Sequence, residues 1–187
     1  RLVLAVAAVL TWPGIAATRP AETPPDLTQG ETKGVDRKLT YNLGATGLRG
    51  WIYSKPETHF DGLQGRTTAR SRQILVTHVG AKSPADGVMQ VGDVILGAGG
   101  KPFSDDARKG IAAAIQEAEK EANGGVLKLT RWRGGKTEEV QLTLRVMGTY
   151  TATAPYDCPK SKRILDEACK ALENERLEPN WNGSISG

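Results

Sequence analysis

The sequence predicts an α+β fold with several short strands, one long helix, one short helix and an extra C-terminal helix. Three observations lead to this class. Strand patterns on both sides of Gly134-Gly135 alternate as in a β-hairpin, residues 104–122 have helical periodicity, and short apolar runs bounded by turn residues fill 37–103. The chain of 187 residues is 39% hydrophobic and 25% charged, which suits one medium domain with appendages.

The N-terminal residues are typical of an export signal. Leu2–Leu10 is a short apolar run preceded by Arg1 and followed by small residues up to Ala17. A buried core helix would need polar residues on a second face, and the run has none. We therefore expect a signal peptide over 1–17, a periplasmic or extracellular protein, and no stable membrane insertion after cleavage, because the run is too short to span a bilayer.

Residues 18–36 are rich in proline and glycine and are predicted to be a flexible linker. The net charge of +4 is small and dispersed, which argues against a nucleic-acid partner. Residues 37–43 alternate as in an edge strand. The glycine-rich loop 44–50 follows, and glycines allow several backbone N–H groups to converge on an anion such as a carboxylate.

After Trp51-Ile52-Tyr53, residues 54–71 read as a long exposed loop. His59 and Asp61 in this loop have no further ligands nearby in the sequence, so no metal site is predicted. A third strand is expected over Ile74–Val79. Ser83 and Pro84 then favour a one-turn helix that ends at Gly87, and a buried fourth strand is expected over Asp93–Leu96.

The long helix is predicted over 104–122, where Ser104, Asp105 and Asp106 suit its N-terminus. Its apolar stripe of small and aliphatic residues would pack on the sheet, and its edge could border a groove. The hairpin is expected over 126–133 and 136–144.

Residues 147–187 are predicted to be a connector and helix that begin the C-terminal region of a longer protein. The helix is expected over Pro159–Leu172, with Ile164, Leu165, Ala168, Cys169 and Leu172 on its apolar face. Along such a helix Cys158 and Cys169 would be roughly 16 Å apart, too far for a disulfide. Both are interpreted as small buried apolar residues.

The order of elements from 37 to 144 resembles a PDZ domain, particularly the bacterial exported kind. The most specific matches are Ser83-Pro84-Ala85, Val91–Leu96 and Gly100-Lys101-Pro102, which are similar to periplasmic high-temperature-requirement proteases. The whole chain, including the connector 154–159, also resembles the N-terminal part of large secreted planctomycete-type proteins. The PDZ-like domain would span 37–146, and the resemblance implies that it is a partly open antiparallel β-barrel or sandwich.

This resemblance implies that an extended peptide adds as a strand between the second strand and the long helix. Arg49 stands where the PDZ loop pattern has an apolar residue, and its guanidinium can still pair with an acid. Trp51 belongs either to this site or to the core, and either Ala107 or Arg108 opens the groove. The implied peptide-binding residues are Leu48, Arg49, Gly50 and Trp51 at the carboxylate, Ile52 and Tyr53 along the strand, and Ala107, Arg108, Ile111 and Ile115 on the helix.

Three functions follow from the sequence. The first is a peptide-binding module whose partner is a protein or peptide segment, including one within the same longer protein. The second is a regulatory domain of a larger secreted hydrolase or protease. The third is a structural domain whose groove is filled internally, by the C-terminal helix. No catalytic constellation and no cofactor motif is present: there is no Gly-x-Ser-x-Gly elbow, and the histidines are His59 and His78.

Overall fold

A computed structural model describes residues 24–30, 35, 37–53 and 71–177 of the chain. The predicted signal segment, His59 and Asp61 lie outside the described residues. Within them the chain has an α+β fold with one open, seven-stranded antiparallel sheet. The elements are β1 (Tyr41–Asn42), β2 (Leu48–Ile52), β3 (Ile74–Val79), β4 (Val94–Ala98), β5 (Lys101–Pro102), α1 (Ala107–Ala118), β6 (Val126–Arg133), β7 (Lys136–Thr143) and α2 (Pro159–Leu177).

The strands of the sheet follow the order β1-β2-β3-β4-β6-β7, and β5 pairs with β4. The predicted hairpin is confirmed, since Val126 pairs with Thr143 and Arg133 with Lys136. Gly134 and Gly135 both have positive φ, as a two-residue hairpin turn with right-handed strand twist requires. β2 therefore lies near one end of the sheet, with β1 on one side and β3 on the other.

Helix α1 begins later than the sequence suggested, because Asp106 and not Ser104 is the N-cap. The Asp106 carboxylate accepts a hydrogen bond of 2.9 Å from the Arg108 N–H. Its apolar side packs on β4 and β6, and the buried stripe consists of Ala107, Ile111, Ile115 and Ala118. Helix α1 thus covers one face of the sheet.

The predicted one-turn helix at Ser83–Gly87 forms successive turns instead. Asp86 N–H donates to the Ser83 carbonyl over 3.0 Å, but the Ser83 hydroxyl caps no backbone group. The Asp86 carboxylate instead accepts the Lys82 N–H over 2.7 Å, which holds the chain in a turn. The Ser83 side chain packs against Gly47, where a Cβ would lie 2.1 Å from the Ser83 Cβ.

Helix α2 docks through the polar residues of its first turns. The Lys160 ammonium is 2% exposed and donates to Glu119 over 2.6 Å at the end of α1. The residues of the apolar face of this helix are exposed. Cys169 is therefore not buried as predicted, whereas Cys158 is buried as expected. Both cysteines are free thiols. Neither helix of the part described here has the length and apolar character needed to cross a membrane.

Candidate functional site

Strand β2 directs alternate side chains to opposite faces of the sheet, as a pleated strand must. Leu48 and Ile52 are buried on the α1 side, in the same cluster as the stripe of that helix. Trp51 and Tyr53 belong to a second cluster on the other face, with Leu27, Leu75 and Val94. The sheet therefore separates the ten residues implied by the resemblance into two groups.

On the α1 side, five of the ten residues form packed core. They are buried in one cluster and consist of Leu48, Ile52, Ala107, Ile111 and Ile115. Arg108 is half-exposed beside them, so it is Arg108 and not Ala107 that lies at the surface of this region.

The edge of β2 at which a peptide would add carries a strand of the chain itself. β1 runs antiparallel to β2, with Tyr41 opposite Gly50 and Asn42 opposite Arg49. Leu43 N–H then donates to the Leu48 carbonyl over 2.9 Å. Among the described residues no strand pairs with Trp51 and Ile52 along this edge, so β1 covers its first part only.

Helix α1 flanks this segment on its other side. The Arg108 guanidinium lies 5.0 Å from the centre of the Tyr41 ring, within the range of a cation–π contact. A Cβ on Gly44 would lie 3.6 Å from the Ile115 Cδ1. Leu43 is buried in the α1-side cluster and Tyr41 packs against it. Residues 41–44 thus lie where the resemblance implies a bound peptide.

The glycine-rich loop uses several of its N–H groups internally. Gly44 N–H donates to the Asn42 amide oxygen over 2.9 Å, Gly47 N–H to the Gly44 carbonyl over 3.3 Å, and Leu48 N–H to the Thr46 hydroxyl over 3.1 Å. These donors are engaged, so a terminal carboxylate would have to compete with three existing hydrogen bonds.

Arg49 and Gly50 have local structural roles. The exposed Arg49 guanidinium donates to the Thr40 hydroxyl over 3.0 Å and to the Thr40 carbonyl over 3.3 Å. Gly50 follows a β-bulge, and a Cβ there would lie 2.4 Å from the Ile74 Cγ2. Strand packing therefore requires glycine at position 50. The Arg49 side chain is engaged with Thr40, the residue that precedes β1.

Trp51 belongs to the core and does not face α1. It is buried against Leu27, which lies in a short 3-10 turn (Leu27–Gln29) capped by Asp26. Gln73 ties this turn to β3: its amide donates to Asp26 over 3.0 Å and its oxygen accepts Leu27 N–H over 2.7 Å. This part of the predicted flexible linker therefore packs on the sheet.

A pocket of about 350 Å³ opens on this second face. Pro24, Pro25, Trp51 and Tyr53 form apolar parts of its lining, and Arg72 adds a cationic residue. Because the pocket lies on the face opposite α1, it is separate from the edge at which a strand would add.

Sequence reasoning did not identify Thr40, Tyr41 and Leu43 as residues of this site. It predicted a strand over 37–43, but a strand pattern does not reveal which neighbour the strand pairs with. The available signal was the short connection from Leu43 to Leu48, since a loop of this length joins antiparallel neighbours.

A scan against protein-family models finds no match to this chain, and a search of curated proteins finds no similar sequence.

Proposed function

We propose that the domain is a PDZ-like peptide-binding module of an exported protein, which takes an extended segment by β-strand addition to β2 beside α1. In this account residues 41–43 occupy the site in the free protein, and the partner replaces them. The partner is a protein or peptide segment with an apolar residue in the place of Leu43.

The observation that carries the proposal is the pairing of β1 with the edge of β2. An antiparallel strand fits between β2 and α1, with Leu43 buried and Tyr41 under Arg108. β1 has only two residues, and two-residue pairing contributes few hydrogen bonds. A longer segment that also pairs with Trp51 and Ile52 would form a more extensive ladder along the same edge.

An extended internal segment suits this site better than a free C-terminus. The N–H groups of Gly44, Gly47 and Leu48 are already hydrogen bonded, and Arg49 is directed to Thr40. Affinity would therefore come from main-chain pairing and the apolar side chains, with a small contribution from a terminal carboxylate.

The test is a peptide selection on the whole chain, with one library displayed as internal segments and another with free C-termini. We expect enrichment of extended sequences with alternating apolar residues from the internal library. The selected peptide should bind within roughly two-fold as its free acid and as its amide, since one exposed ion pair contributes little. If only free acids bind and Arg49→Glu abolishes binding, the site captures C-termini. If neither library is enriched, the proposed function is wrong.

A structural role is the second candidate, and the same pairing favours it. If β1 is never displaced, the domain is a scaffold whose groove is filled internally by residues 41–43. The C-terminal helix, as far as its side chains are described, does not fill that groove, because its apolar residues from 164 to 172 are exposed and it contacts Glu119 and Arg145. The two candidates differ in whether any peptide competes with β1.

A further inference from the structure

Helix α2 presents its polar side to its own domain. Lys160 is buried against Glu119, and Glu167 pairs with Arg145 over 2.6 Å. Of the described side chains from 162 to 174, only that of Glu167 is partly buried, and the others are exposed. The helix is therefore docked by ion pairs, and these ion pairs fix which side of it faces away.

The apolar stripe of α2 lies on the side that faces away from the domain. Leu165 is 63% and Leu172 is 55% exposed, and Ala168 and Cys169 are exposed between them. At about 100° per residue, Leu165, Cys169 and Leu172 lie within roughly 60° of one another, and Glu167 lies on the opposite side. This is the reverse of an ordinary surface helix, and an exposed stripe of this kind marks an interaction surface.

We propose that this stripe binds a second copy of the chain, with the two α2 helices antiparallel and crossing at Ala168. Leu165 precedes Ala168 by three residues and Leu172 follows it by four. An antiparallel crossing at Ala168 therefore brings Leu165 of each copy against Leu172 of the other. The small side chain of Ala168 allows the two backbones to approach at the crossing point.

The charges at one edge of the stripe are complementary in the same arrangement. By helical geometry Lys162 and Glu173 lie at the same edge, six residues before and five residues after Ala168. Within its own helix Lys162 also pairs with Asp166 over 2.9 Å, so Lys162 would be shared between Asp166 and the Glu173 of the other copy. Two-fold symmetry then places Lys162 of each copy beside Glu173 of the other, which gives two equivalent ion pairs. In a parallel arrangement the edge that carries Lys162 and Glu173 would lie against the opposite edge of the partner helix, so these two ion pairs would not form. The charge pattern therefore selects a second copy in the antiparallel sense.

Analytical ultracentrifugation of the whole chain over a range of concentrations tests this interface by charge reversal. We expect a reversible dimer in the original protein. Lys162→Glu and Glu173→Lys each replace two attractions with two repulsions and should each raise the dimer dissociation constant roughly ten-fold. The double variant Lys162→Glu/Glu173→Lys restores both pairs and should return to within roughly three-fold of the original.

Lys109→Glu is the matched control, because it makes the same charge change at an exposed residue of α1, away from the stripe, and should leave the dimer unchanged. Leu165→Glu should give a monomer with an unchanged circular dichroism spectrum, since Leu165 is exposed. A short bismaleimide should link two copies through Cys169, which lies one residue from the crossing, and Cys169→Ser should prevent the link.

Three results would overturn the proposal. They are a protein that stays monomeric at high concentration, a dimer that Leu165→Glu leaves intact, and a double charge reversal that associates no better than the single variants.

Discussion

The Arg108 guanidinium lies over the Tyr41 ring at 5.0 Å, and this contact joins α1 to the strand that occupies the edge of β2. The Asp106 carboxylate orients Arg108 through a contact of 3.1 Å. One side chain of α1 thus holds β1 in the place where a partner would add. In the proposed function, the strength of this contact would help to set how readily β1 gives way to a partner.

Tyr41→Ala should increase the affinity for a selected peptide. A cation–π contact of this kind contributes about 0.5–1 kcal/mol, so its loss weakens the docking of β1 by that amount. When an occupant competes with a ligand, apparent affinity follows the fraction of the site that is free, and we expect an increase of up to about five-fold. Isothermal titration calorimetry measures the effect.

Tyr156→Ala is the control for that variant, because Tyr156 is exposed in the connector. It should leave peptide affinity unchanged. Weaker binding by Tyr41→Ala would mean that Tyr41 contributes to the peptide site and does not compete for it.

Asp93, which directly precedes β4, should be costly to replace because its carboxylate is buried. It is 1% exposed and pairs with Arg133 through two contacts of 2.6 and 2.7 Å, and it also accepts Gln90 N–H over 2.8 Å. This hydrogen bonding raises the pKa of Arg133. Asp93→Asn should lower the free energy of unfolding by about 2–3 kcal/mol, measured by urea denaturation.

The exposed cross-strand pair of Lys128 and Glu139 offers a control for this effect. Glu139→Gln removes a similar ion pair of 3.0 Å in full solvent and should change stability by less than about 1 kcal/mol. An equal decrease in the free energy of unfolding in Asp93→Asn and Glu139→Gln would show that burial does not determine the contribution of Asp93.

Lys160→Ala should release α2 while leaving the sheet intact. The substitution leaves the Glu119 carboxylate without its buried partner and costs about 2–3 kcal/mol in docking. Hydrogen exchange should quicken at the Met147 and Gly148 amides, which donate to the Glu119 carbonyl, and in the first turn of α2. Exchange in β6 should not change.

Lys170→Ala is the control for this variant. It removes an exposed contact of 3.6 Å to Glu167 and should leave amide hydrogen exchange in the connector unchanged. Faster exchange throughout the sheet in Lys160→Ala would contradict a local role for the Lys160 pair.

The Cys158 thiol should make the docking of α2 depend on pH. A hydrogen bond with the Ser161 side chain, followed by the Thr151 and Ser161 N–H groups, lowers the pKa of Cys158 to about 6. Because the folded pKa lies below the unfolded value of roughly 8.5, the thiolate stabilises the fold fully above about pH 8.5. This contribution declines as pH falls and is lost below about pH 6.

Urea unfolding of the original protein and Cys158→Ser across this pH range measures the contribution. The stability difference between them should shift in favour of the original protein as pH rises. Thiolate ultraviolet absorbance in a Cys169→Ser background should titrate near pH 6. If the free energy of unfolding changes with pH in the same way in both proteins, the thiolate does not have this role.

Local sequence patterns predicted β3, the β6–β7 hairpin and the burial of the α1 stripe, because each has a periodicity that one segment carries by itself. The partner of β1 was not predictable in this way, since a strand of two residues has too little pattern to fix a register. Leu27 was missed for a related reason: a single apolar residue among prolines gives no periodic signal. Its burial depends on Gln73, which is distant in sequence.

The most direct measurement of the central claim locks β1 to β2. The hydrogen bond between Leu43 and Leu48 makes Asn42 and Arg49 the next, non-hydrogen-bonded pair, in which opposite side chains come closest. In a Cys169→Ser background, Asn42→Cys/Arg49→Cys should form a disulfide that keeps β1 in place. The selected peptide should bind the reduced form and not the oxidised form. Equal binding to both forms would contradict it.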